Sequence, residues 1–145
     1  MTYRFCILIA LLVTSSANAL PDENAKLNNP IIGTWTWMRD VNSCTETYTY
    51  RADGTMHVIS GKEVSESTYQ ISSARTPKGF YKLTDKVVKD LGGKDCADDT
   101  GDSTGQEATN FVIFSKKGDM YLICENESSE SCFGPLKKIN NLSKQ

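Results

Sequence analysis

The chain has 145 residues, 39% of them hydrophobic and 23% charged, with a formal net charge of −2. That composition excludes collagen-like, coiled-coil and broadly disordered chains, and the length leaves room for one ordinary domain. The charge balance offers nothing basic enough to hold a nucleic-acid backbone, so no nucleic-acid partner is expected.

In chain order, residues 1–19 read as a secretory signal peptide. Arg4 supplies a positive start, and Phe5 to Val13 is an apolar run too short to span a bilayer as a helix. Ala17-Asn18-Ala19 fits the small-x-small cleavage pattern, with cleavage after Ala19. Cys6 lies inside the apolar run, without the surroundings of a lipoprotein anchor. No later stretch approaches membrane-spanning length, so the mature protein is expected in a periplasm or secreted, with no membrane span. Residues 20–30 are polar, contain Asn28-Asn29-Pro30, and read as a flexible N-terminal arm.

Residues 31–140 carry eight short segments rich in Thr, Tyr, Val, Ile and Phe, each ended by turn chemistry. They are Ile32–Arg39, Cys44–Arg51, Thr55–Ser60, Val64–Ser72, Phe80–Val88, Ala108–Ser115, Met120–Glu125 and Cys132–Ile139. A long polar stretch, Lys89 to Glu107, separates the fifth from the sixth, and 141–145 form a polar tail. Lys82 to Leu91 is the best helical candidate, and it is short. Brief connections join antiparallel neighbours into a meander. Closing eight such strands into an up-and-down barrel removes the exposed edges; a two-sheet sandwich is the competing arrangement.

Ala52-Asp53-Gly54 suits a type I turn followed by a left-handed Gly. That register sets Tyr50 opposite Met56 and Tyr48 opposite Val58, with Thr47, Thr49, Arg51 and His57 on the other face. The same alternation groups Trp35 and Trp37 with Gly33, Tyr69 with Ser67 and Ile71, and Tyr81 with Leu83. The sixth and seventh strands are apolar on both faces, which calls for cover from the arm or from another protein.

Four cysteines follow the signal segment: Cys44, Cys96, Cys124 and Cys132. An even count in an exported chain indicates two disulfides. A hairpin staple Cys124–Cys132 is geometrically easy and leaves Cys44–Cys96; with no C-x-x-C and a single histidine, a metal reading is weak.

Gly33-Thr34-Trp35 opens the first strand, and in that position the chain resembles the lipocalin-like, or calycin-type, barrels, including small bacterial exported ones. The resemblance implies an eight-stranded barrel closed at one end by the Trp35 ring, with Gly33 allowing close chain packing and a ligand cavity at the open end. The family's T-D-Y motif is here Thr84-Asp85-Lys86, and the Arg that stacks on the plug is replaced by Lys137 or Lys138. A helical lid after the first strand is absent. Both tryptophans lie on that strand, which argues against biotin.

For catalysis the sequence offers little. His57 is single and faces outward, and no hydrolase, metalloprotease or phosphate-loop motif occurs. The chain therefore reads as a non-enzyme without a cofactor or metal site. Asp95 to Asp102 holds four carboxylates that could bind Ca²⁺, yet the spacing is not that of an EF-hand and a solvated loop pinned by Cys96 accounts for it. Asn126-Glu127-Ser128 and Asn141-Leu142-Ser143 are glycosylation sequons, relevant only in a eukaryotic host. The aromatic set is the most informative. Trp37, Tyr48, Tyr50, Met56, Tyr69, Tyr81 and Leu122 are expected to line the interior. There they either hold a mainly apolar or amphiphilic ligand or simply fill the barrel. The functional expectation is a small-molecule binding protein. The alternative is a protein-binding module, an inhibitor or immunity-type factor acting on a hydrolase or envelope partner through the arm and the Lys89–Glu107 loop.

Overall fold

A computed structural model describes residues 29–139. The signal segment, residues 20–28 of the arm, the tail and the second sequon lie outside the described residues. Eight strands form: β1 (Gly33–Met38), β2 (Thr45–Tyr50), β3 (Thr55–Ser60), β4 (Glu63–Ile71), β5 (Tyr81–Asp90), β6 (Glu107–Phe114), β7 (Met120–Cys124) and β8 (Cys132–Lys138). Each pairs antiparallel with the next and β8 returns to β1, so the sheet closes into an up-and-down barrel. The expected architecture holds, and the sandwich does not.

Local chemistry sets the register. Gly54, at φ 84°, donates its amide to the Arg51 carbonyl at 3.2 Å, closing the tight turn after β2. Tyr50 then faces Met56 and Tyr48 faces Val58. The helical candidate Lys82–Leu91 is strand: it forms most of β5, which runs to Asp90. Lateral pairing to β4 on one side and β6 on the other outweighs a weak helical pattern. Among the described residues helix is confined to one 3₁₀ turn, Ser129–Ser131, capped by the Ser128 hydroxyl.

The two ends of the cylinder differ. Strand polarity places Gly33, Tyr50, Ile71, Tyr81, Phe114 and Lys138 toward one end, and this end is filled. Trp35 is fully buried, its indole N–H donating to the Ile31 carbonyl at 2.7 Å. The ring stands edge-on to Tyr121 at 4.7 Å and is tilted against Phe114 at 5.9 Å. Lys138 lays its ammonium 5.0 Å from the Trp35 ring centre, so a lysine supplies the cation over the plug. Gly33 makes room for it: a Cβ there would stand 2.9 Å from Lys138 Cε, and φ of 129° already disfavours any side chain.

Both expected disulfides are present. Cys124–Cys132 staples β7 to β8. Cys44–Cys96 ties the β5–β6 loop to the segment entering β2, at the other, open end. Arg39 and Asn42 both donate to the Cys96 carbonyl, at 2.6 and 2.9 Å, fixing the same junction.

Candidate functional site

Toward the open end the filling stops, leaving a cavity of about 360 Å³. Its apolar wall comes from Tyr48 and Tyr50 on β2, Met56 and Val58 on β3, Leu83 and Val87 on β5, Ile123 on β7 and Phe133 on β8. Its polar wall comes from Ser65 and Ser67 on β4, Asp85 on β5 and Asn110 on β6. The β5–β6 loop contributes Asp95, Asp99, Asp102 and Ser103, and Glu63 stands beside it. A shallower depression of about 790 Å³ lies over β4–β6, and it opens broadly to solvent.

The loop carboxylates have work within the loop. Asp95 accepts from the amides of Ala97 and Asp99, and Asp99 from those of Thr100 and Gly101. Asp102 accepts from Thr104, and Asp90 from Gly92 and Ser103. These bonds hold Asp90 and Asp102 below the usual carboxylate range. Among the described residues no group of three or more His, Cys, Asp or Glu side chains converges on a point where a metal could sit.

Asp85 is different. It faces the cavity without a hydrogen-bond or ion-pair partner among the described residues, and burial alone pushes its carboxyl upward. Glu63 is also pushed up, first by burial and then by the nearby charges of Asp90, Asp95 and Asp99. Tyr48 donates to the Glu46 carboxylate and Tyr121 to the Tyr50 hydroxyl at 3.4 Å; burial drives all three phenols upward, so they stay neutral.

A raised native pKa on Asp85 means that the folded chain holds its proton more tightly than the unfolded chain. Stability therefore falls as pH rises from the unfolded value, about 3.9, through the folded one, and stays lower above it. Asp85→Asn removes that loss. Thermal melts at pH 7 should show a higher Tm than wild type, and the gap should close near pH 3. An equal or lower Tm at pH 7 argues against a costly carboxylate.

The seven interior candidates from the sequence separate into groups. Tyr48, Tyr50 and Met56 line the cavity. Trp37 lies beside it, its ring 5.1 Å from Phe133. Tyr69 and Tyr81 belong to the closed half. The Tyr69 hydroxyl donates to the Arg51 carbonyl at 2.7 Å, and Tyr81 packs on Phe114 at 5.8 Å under Arg75. Leu122 points the other way. It alternates with buried Tyr121 and Ile123 and lies across from Ile113, so it faces outward, half-buried like Phe111 and Ile113. Phe80, read as the first residue of the fifth segment, is buried just ahead of β5, in the β4–β5 connection.

His57 stands on the outer face, 3.8 Å from Glu66. The residues that sequence reasoning missed are Asp85, Ser67, Glu63 and Phe133. For Asp85 a signal existed: Leu83, Asp85 and Val87 alternate on one face, and the apolar neighbours mark it as the inner one. Phe133 carried none, because β7 and β8 lose register between Tyr121 and Ile123, as at a bulge. In comparisons with protein-family models, curated proteins and solved structures, nothing matches this chain.

Proposed function

We propose that the protein is an exported, non-catalytic carrier of the lipocalin-like type, holding a small amphiphilic molecule in the open half of its barrel. One observation carries this reading: the interior is packed solid around Trp35 and then leaves about 360 Å³ behind tyrosine, methionine and leucine side chains. That size lies at the lower end of small-molecule pockets. Two disulfides fit an oxidising compartment, consistent with export into a periplasm or the medium. Among the described residues no helix is long and apolar enough to cross a membrane.

A thermal-shift panel of lipids, sterols and small aromatics tests the reading. A ligand at a hundred times its Kd stabilises by about 2.7 kcal/mol, a shift of several degrees. Tyr48→Ala should abolish the response. Tyr81→Ala, at the packed end, should lower Tm and leave the response intact. A panel without a single shift overturns the carrier reading.

A second reading has its own support. Met38, Val41, Leu91 and Phe133 are exposed apolar residues at strand ends and loops of the open end. Such a rim suits docking on a protein partner. A protein-binding module of this kind would lose its partner on Val41→Asp while its melting temperature stays unchanged.

A further inference from the structure

Resting on that carrier reading, we infer that the ligand is a small organic cation, a protonated amine on a short apolar body. The cavity brings two kinds of surface together. Tyr48, Tyr50, Met56 and Leu83 offer aromatic and aliphatic area. Beside them stand Asp85, whose carboxylate has no partner among the described residues, and Ser67, only 2% exposed and with no side-chain hydrogen bond among those residues. Among the described residues no fully buried side-chain oxygen is left without a partner, so the Ser67 hydroxyl opens onto the cavity. A carboxylate drawn half out of water without a cation costs stability, and an arriving ammonium supplies the missing charge and the hydrogen bonds.

The sign of the lining selects the ligand. Glu63, Asp85, Asp95, Asp99 and Asp102 all line the cavity, and among the described residues no Lys, Arg or His does. The loop carboxylates accept backbone amides and stand over the entrance, where they add to a negative field. A fatty acid or an organic phosphate would meet repulsion from every charged group there. An amine meets attraction, and its short apolar body has the aromatic and aliphatic wall to cover it. A bare metal ion fits less well. It would find one free carboxylate where a hard cation takes six or more oxygens, and it would leave the apolar wall uncovered.

The test uses three probes of one shape, 2-phenylethylamine, 2-phenylethanol and phenylacetate, titrated calorimetrically into the protein at pH 7.5. The amine should bind at least about tenfold more tightly than the alcohol, and phenylacetate weakest. Asp85→Asn, expected to fold at least as stably as wild type, should remove most of the preference for the amine, the loop carboxylates supplying the remainder. Alcohol or phenylacetate binding as tightly as the amine overturns the charge inference, as does an amine preference undiminished in Asp85→Asn. Either result, with the lipid and aromatic panel still positive, leaves the carrier reading standing. Silence from all three probes and from the panel ends both.

Discussion

Trp35→Ala should cost about 3–5 kcal/mol, a large share of the 5–15 kcal/mol that holds an ordinary domain together. The loss has three sources. The ring is fully buried against Tyr121 and Phe114, and its removal leaves a cavity in the most tightly filled part of the barrel. The Ile31 carbonyl loses its indole donor in a place water does not reach. Lys138 loses the ring face beneath its ammonium. Urea denaturation followed by the fluorescence of the remaining Trp37 reads the effect directly. Trp35→Phe separates the parts: it keeps most of the packing but orphans the carbonyl, and should cost about 1–3 kcal/mol. A midpoint for Trp35→Ala within experimental error of wild type would remove the plug from the account of stability.

The second large effect is covalent. Cys44 and Cys96 are 52 residues apart in sequence, whereas Cys124 and Cys132 are 8 apart. If a crosslink acts by restricting the unfolded chain, the long loop is worth about 4 kcal/mol and the short one about 2.5 kcal/mol. Cys44→Ser with Cys96→Ser should therefore lower the urea midpoint more than Cys124→Ser with Cys132→Ser. The long bridge also carries the loop that bears Asp95, Asp99 and Asp102, so its loss should expose residues 91–106 to proteolysis before the rest of the barrel. The reverse order of the two double variants would contradict the loop-length argument.

Much of the architecture was legible because a half-buried strand writes its register into its alternation. Tyr48, Tyr50, Met56 and Val58 are apolar at every second position, so a one-residue slip would have turned all four outward. Gly54 confirmed the turn length independently. The bridges were legible because four cysteines leave few pairings and one was short. Legibility failed where alternation carries no information. β7 is apolar on both faces, and nothing in Met120–Cys124 tells whether Tyr121 or Leu122 turns inward; the structure turns Tyr121 in. It failed again at depth. Tyr48, Tyr69 and Tyr81 all have faces toward the interior, yet which of them meets space and which meets another ring depends on height along the cylinder. Strand stagger sets that height, and single strands do not record it. Asp85 was overlooked because a carboxylate beside lysines reads as solvent-facing, although Leu83 and Val87 pointed otherwise.

The unequal filling of the cylinder divides its labour. The indole, its lysine cover and the rings about them anchor the chain, and none of these groups borders the hollow. Tyr50, Met56, Leu83 and Ile123 border that hollow and still belong to the buried core, whereas Asp85, drawn in beside them, works against stability. Asp85 and the loop aspartates of the open half can therefore be exchanged without disturbing the packing that closes the base.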